Sequence, residues 1–171
     1  MPRASDREAL DQVGGYSEEL IAGEEPEMCY RMRQKGWRVR RIDAEMTHHD
    51  ADLTRFSQWW QRGRRTGHTY AEGAALYGRG PERYRVAELR RTLFWGLGVP
   101  LAALLGAFLV SPWALLILLA WPAQVLRLML RGETPQEAFF LTFDKLSETQ
   151  GALGYWRGRL TGQRRKLIEY K

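Results

Sequence analysis

TLFWGLGVPLAALLGAFLVSPWALLILLAWPAQVL, residues 92–126, carries no charged side chain. A helix crossing a bilayer needs ~20 such residues, because ~30 Å of hydrocarbon is covered at ~1.5 Å per residue. One straight helix over the whole run would reach ~50 Å, more than one crossing uses. Ser111-Pro112 near its middle supplies a break, since proline disrupts the interior of a helix. Two short crossings, 93–110 and 113–129, therefore fit the run best. Arg90 and Arg91 precede the first, and Arg127 and Arg131 flank the end of the second. A hairpin would place these basic ends on one side, as the positive-inside rule requires. Trp95, Trp113 and Trp121 suit interfacial positions and equally suit packing between helices. A buried hairpin in a soluble bundle and a re-entrant pair are the alternatives. A cleaved signal peptide is excluded by the central position of the run.

Outward from that run the chain is polar. Of 171 residues, 44% are hydrophobic, 27% charged and 12% aromatic, which excludes a disordered tail or a low-complexity linker. The mean hydropathy of −0.44 averages over two unlike regions. The formal net charge of +6 is compatible with nucleic acid, an anionic membrane surface or a phosphorylated substrate. Cys29 is the sole cysteine, so neither an intrachain disulfide nor a cysteine-based zinc site can form. Three regions follow: a polar part (1–91), the apolar hairpin (92–130) and a basic tail (131–171). The first is small for an independent core.

Within the polar part, 11–15 and 16–23 read as a helix end and a glycine-rich turn. Pro26 opens a helix whose first turn is acidic, with Met28 and Met32 on one face and Gly36 as the stop. Trp37-Arg38-Val39-Arg40 alternates as a strand does. From 53 to 76 the pattern is an amphipathic helix, with Phe56, Trp59, Trp60, Gly63, Gly67 and Tyr70 as its apolar stripe. Thr134-Pro135-Gln136-Glu137 has capping-box spacing and opens a helix carrying Phe139, Phe140 and Phe143. Aromatic stripes beside arginines fit an interfacial helix and a helix packed on a domain equally well.

Three constellations are able to carry chemistry. Glu24, Glu25 and Glu27 crowd a helix N-terminus, where they complement the helix dipole or supply a general base. His48 and His49 are adjacent, so in a strand they face opposite ways; either is a metal-ligand candidate, with Asp50 as an oxygen donor. Gln61-Arg62-Gly63-Arg64-Arg65 follows Trp59 and Trp60. Its guanidinium groups suit phosphate oxygens, and the indoles suit sugar rings or bases. A cationic helix face against lipid headgroups is the plainer account of the same cluster.

In order and spacing these pieces resemble the C-terminal half of a bacterial, membrane-bound family 2 glycosyltransferase of the GT-A type. The likeness runs through Val13-Gly14-Gly15-Tyr16, GEEPEMCYRMRQKGW (23–37), MTHHDA (46–51), QWWQRGRRTG (58–67) and GRLTGQRRKLIEYK (158–171). The resemblance implies an α/β fragment, mostly helical, followed by a transmembrane hairpin and an amphipathic C-terminal helix. It implies that Glu25, with Glu24 beside it, stands where the family keeps its catalytic Asp. It also implies substrate-binding roles for Gly15, Trp59, Trp60, Gln61, Arg62, Arg64 and Arg65. His48 or His49 would contribute to the metal or diphosphate site, with Mg²⁺ or Mn²⁺ as the cation.

Two departures matter. Arg65 stands where processive members have Trp, which argues against polymer synthesis. The nucleotide-binding half with its Asp-x-Asp motif has no counterpart before Gly14, so a separate or preceding half is expected to supply it. The implied activity is inverting transfer from a nucleotide-diphosphate sugar to a carbohydrate or lipid-linked hydroxyl, in envelope or exopolysaccharide synthesis. The soluble part would face the cytoplasm at the inner membrane, where Cys29 stays reduced. A non-catalytic membrane module or remnant that assembles with polysaccharide-synthesis proteins is the second expectation. Nucleic-acid binding is not expected, since no nucleic-acid fold motif is visible.

Overall fold

The computed structural model describes residues 6–17, 20, 22–40 and 55–162. They are mostly helical, and no strand occurs among them. The helices are α1 (Asp6–Val13), α2 (Glu24–Gln34), α3 (Phe56–Tyr77), α4 (Val86–Leu109), α5 (Pro112–Met129) and α6 (Pro135–Thr161).

Helices α4 and α5 are long and apolar enough to cross a membrane. They form the expected hairpin, and the chain breaks at Ser111, whose backbone is extended. Pro112 then opens α5 with a 3₁₀ segment, Pro112–Leu119. Helix α4 starts earlier than its apolar run: Val86–Leu93 is amphipathic, and only the continuation is apolar throughout. A π-helical segment, Phe94–Gly98, interrupts α4 just before Pro100, which has no N–H for the regular ladder. The hairpin closes on Gly106, where a Cβ would lie 2.8 Å from that of Ala114. Trp121 Nε1 donates to the Trp95 carbonyl at 3.2 Å. Its outer surface stays unburied: Phe108, Val110 and Trp113 are 87%, 86% and 77% exposed. That exposure separates it from the buried hairpin of a soluble bundle, which hides such side chains.

Helix α6 begins at the expected capping box. Glu137 N–H donates to Thr134 Oγ1 at 3.2 Å, and Thr134 N–H donates back to Glu137 Oε2 at 3.0 Å. Over its length α6 packs on α3, and glycines set the distance. A Cβ on Gly67 would lie 1.8 Å from the Glu148 carbonyl oxygen; one on Gly151 would lie 1.9 Å from that of Arg64. Gly63 meets the Ser147 side chain, whose hydroxyl would lie 1.8 Å from a Cβ there. Gly63 and Gly67 on one helix, Ser147 and Gly151 on the other, thus pair at four-residue spacing and bring the two backbones together. Trp60 Nε1 donates to Gln150 Oε1 across this seam at 2.8 Å. The stripe on α3 is therefore mainly a packing face, although its first residue, Phe56, is 69% exposed.

The hairpin docks on α6 as well. Gly96 lets the π segment approach Lys145 and Thr149, and Thr149 Oγ1 donates to the Thr92 carbonyl at 3.0 Å. Thr92 Oγ1 donates to the buried Glu148 at 2.5 Å, and Lys145 Nζ bonds both oxygens of that carboxylate at 2.8 and 2.7 Å. Here a charge is buried with its partners supplied.

Helix α2 ends as expected at Gly36, with φ of +86°. Trp37 N–H returns to the Met32 carbonyl and Gly36 N–H to that of Arg33, which satisfies the last turn. The strand expected over residues 37–40 is absent. No strand among the described residues offers it a ladder, and Trp37 instead donates its indole N–H to Gln12 Oε1 at 3.0 Å. The α/β character expected of the fragment thus has no counterpart in the described residues.

Candidate functional site

The acidic first turn of α2 divides by helical phase. Glu25 is exposed and Glu24 half-buried, while Glu27 is 3% exposed. Glu27 accepts two bonds from Arg31, at 2.7 and 2.9 Å, and one from the Tyr77 hydroxyl at 2.5 Å. Burial and this carboxylate push the Tyr77 phenol up to about 12. Arg31 also donates to the carbonyls of Val13 and Gly15. Glu27 and Arg31 thus clamp the α1–α2 turn onto α3. Gly15, expected at the substrate, has its carbonyl committed to this clamp and its backbone at φ +70°.

Gly23 precedes α2 at φ +82°, a conformation that favours glycine. A Cβ there would strike Thr69 Cγ2 at 2.5 Å, so the turn before α2 rests directly on α3. Thr69 Oγ1 donates to the Ala22 carbonyl at 3.4 Å. Beside this contact opens a cleft of about 480 Å³ whose lining includes Gly23, Arg62, Arg65 and Arg85. Thr66, Thr69 and Tyr70 add polar groups to its wall, and no carboxylate is among its described lining residues.

Arg85 was not among the expected residues. It sits at the N-cap of α4 with φ 60° and ψ 4°, left-handed geometry that is uncommon outside glycine. Its guanidinium lies over the rings of Tyr70 and Tyr84, 5.4 and 5.3 Å from their centroids. Nη1 donates to Glu88 at 3.3 Å, whereas Nε is buried beside Tyr84 with no well-formed hydrogen bond among the described residues. Gly73 makes the arrangement possible, since a Cβ there would press on Tyr84 and the Arg85 stem at 2.8 and 3.0 Å. No local motif marks Arg85; its one sequence signal is the basic density of the segment after α3.

The expected basic cluster is split by the α3–α6 seam. Arg62 and Arg65 face the cleft, while Arg64 lines neither this cleft nor a second one between α3 and α6. Trp60 is tied to Gln150, Trp59 lines the second cleft, and Gln61 lines neither. That second cleft, about 470 Å³, shares Arg62 and Thr66 with the first and adds Phe140, Asp144 and Glu148. Burial and the neighbouring Glu148 carboxylate push the Asp144 carboxyl up to about 6.

His48 and His49 lie outside the described residues. Among those described, no three His, Cys, Asp or Glu side chains come together as a metal site requires. Glu27, the one buried acid of the expected run, is held by Arg31 and Tyr77. The described residues therefore do not furnish the divalent-cation site that the resemblance implies.

Compared with known protein families, with curated proteins and with solved structures, the chain matches none.

Proposed function

We propose that the chain is the acceptor-side part of an inverting glycosyltransferase, completed by a nucleotide-binding half outside this sequence. The cleft carrying Arg62, Arg65 and Arg85 is the observation that supports this reading. Three guanidinium groups on one cleft, Arg85 among them with a bond to Glu88, suit a diphosphate, whose oxygens arginine grips in bidentate fashion. In the transfer, an acceptor oxygen bonds to the anomeric carbon as the bond to the diphosphate breaks. The arginines stabilise the charge left on the diphosphate, and the acceptor proton passes to a carboxylate. Glu25, exposed on the first turn of α2 two residues past the cleft-lining Gly23, is assigned that proton. The resemblance implies a divalent cation with His48 or His49 as a contributing ligand, and when bound it would supply further positive charge at the diphosphate.

In this reading α4 and α5 insert into the inner membrane. Arg90, Arg91, Arg127 and Arg131 hold the hairpin ends, and with them the cleft, on the cytoplasmic side. Titration of inorganic pyrophosphate into the chain in phosphatidylcholine nanodiscs tests the cleft. Saturable binding is expected, weakened at least fivefold by Arg62→Ala and by Arg85→Ala; no saturable binding would overturn the proposal.

The exposure of Glu25 favours a second reading, a non-catalytic membrane module that assembles with polysaccharide-synthesis proteins. Sugar transfer by membranes containing the completed enzyme separates the two. Transfer that survives Glu25→Gln removes Glu25 as base, and pyrophosphate binding without any transfer favours the module.

A further inference from the structure

We infer that the α4–α5 hairpin is re-entrant: its turn at 110–112 stops inside the hydrocarbon of the bilayer, and the chain enters and leaves by the same surface. The inference rests on the membrane reading of the hairpin and is independent of the transferase reading.

Toward their basic ends both helices of the hairpin are covered by α6. Gly96 lies against the Lys145 carbonyl and the Thr149 side chain, and Trp121 meets the Phe143 ring with centroids 5.5 Å apart. The bond from Trp121 to the Trp95 carbonyl puts both helices at that level. Lys145 there pairs with Glu148 at 2.7 Å, and such a charged pair belongs with water or headgroups rather than lipid tails. Only the stretch beyond this level is left for hydrocarbon. From Gly96 to Val110 the chain rises ~21 Å at ~1.5 Å per residue. On the returning side Pro112–Leu119 is 3₁₀, and the rise from Pro112 to Trp121 is ~17 Å. A bilayer core is ~30 Å thick, so the turn ends roughly 10 Å short of the opposite surface.

A row of rings marks the same level. Phe139 lies 4.5 Å from Phe143 between centroids and 5.7 Å from Phe140. Trp59 and Phe56 continue the row outward at 5.3 and 5.0 Å. Phe56, Phe139 and Phe140 are exposed. A shelf of exposed rings beside an apolar hairpin suits the headgroup boundary, where aromatic side chains concentrate.

The turn itself is built for an apolar medium. Leu109, Val110 and Trp113 are exposed around it, and the hydroxyl of Ser111 already accepts the Trp113 N–H at 3.4 Å. Val110 and Ser111 N–H both donate to the Gly106 carbonyl, at 2.9 and 3.0 Å. Ala114 N–H donates to the Ser111 carbonyl at 2.9 Å, and Pro112 has no N–H. No backbone donor from 110 to 114 needs water, which is the condition hydrocarbon imposes. A turn emerging into water on the far side would need none of this, and would leave Val110 and Trp113 facing solvent.

Power-saturation spin-label spectroscopy measures the depth. Val110→Cys, Trp113→Cys and Glu133→Cys are each combined with Cys29→Ser, labelled, and placed in phosphatidylcholine nanodiscs, where a water-soluble nickel chelate reaches both faces. Access of the chelate at 110 and at 113 is expected to be at least threefold below that at 133, in the exposed loop before α6. A smaller difference at either site would overturn the inference. Neutron reflectometry of the unmodified chain, added to one face of a supported bilayer, covers the case of variants that misfold. Protein density is expected in the near headgroup layer and the tails; density in both headgroup layers would overturn the inference. Flotation of the unmodified chain with phosphatidylcholine liposomes separates the two readings. A chain that does not float removes the membrane reading itself, whereas a floating chain with chelate access at 110 and 113 removes only the re-entrant geometry.

Discussion

Gly67→Ala places a methyl group 1.8 Å from the Glu148 carbonyl oxygen, 2.4 Å from its carbon and 2.5 Å from its Cα. All three atoms belong to the backbone of α6, so no rotamer change clears the clash. Restoring ordinary contact requires α3 and α6 to part by roughly 1.5 Å, which loosens the interdigitated seam along its length. Overpacking of this kind costs about 1–3 kcal/mol, set against up to about 1 kcal/mol gained by replacing glycine with alanine inside a helix. For a chain of this size each kcal/mol moves the melting temperature by about 2–4 °C. A loss of several degrees is therefore expected when the protein is melted in detergent micelles and followed by far-ultraviolet circular dichroism. Gly98→Ala is the control, because its nearest neighbour would be 3.6 Å away. At Gly63 the nearest obstacle is the Ser147 hydroxyl at 1.8 Å, a side-chain atom. Ser147→Ala should therefore recover part of the loss from Gly63→Ala and none of that from Gly67→Ala. If Gly67→Ala melts with the control, the glycine seam does not set the helix separation.

Other consequences follow from the buried charges. Glu27→Ala strips Tyr77 of its acceptor and Arg31 of its carboxylate partner and is expected to cost about 3 kcal/mol, whereas Glu25→Ala, at an exposed position, should change stability by less than about 0.5 kcal/mol. Comparing their denaturant midpoints checks this, and equal midpoints would mean that Glu27 does not clamp the turn. Asp144 titrates near 6 in the fold against 3.8 ordinarily, so the native state holds its proton more tightly between those values. Its contribution to stability is present below pH 4 and is lost as the pH rises through 6. The melting temperature of Asp144→Asn relative to the parent should therefore rise between pH 5 and pH 7; a fall would show the carboxylate to be stabilised as an anion.

Much of the scaffold was legible because its causes are local. The proline break at 111–112, the capping box at Thr134 and the glycine stop at Gly36 each act within one turn of chain. The 37–40 alternation misled, because a strand exists only where another strand bonds to it, and alternation alone cannot supply one. The site was legible in smaller part. Arg62 and Arg65 line one arginine-bearing cleft. Trp60 and Gly15 are occupied in holding the fold together. Arg85 arrives from a different helix, through a left-handed N-cap that no short motif announces.

By itself the sequence determined that two apolar helices form a hairpin with basic ends, and where the flanking helices begin and stop. Those outcomes depend on hydrocarbon length, proline sterics and capping bonds, all written in neighbouring residues. Only the tertiary structure decided which glutamate of the 24–27 run is buried, which arginines share a cleft, and that α3 and α6 meet on glycine. Those outcomes depend on groups far apart in the chain, such as Glu27 with Tyr77 or Gly67 with Glu148, whose proximity is created by packing.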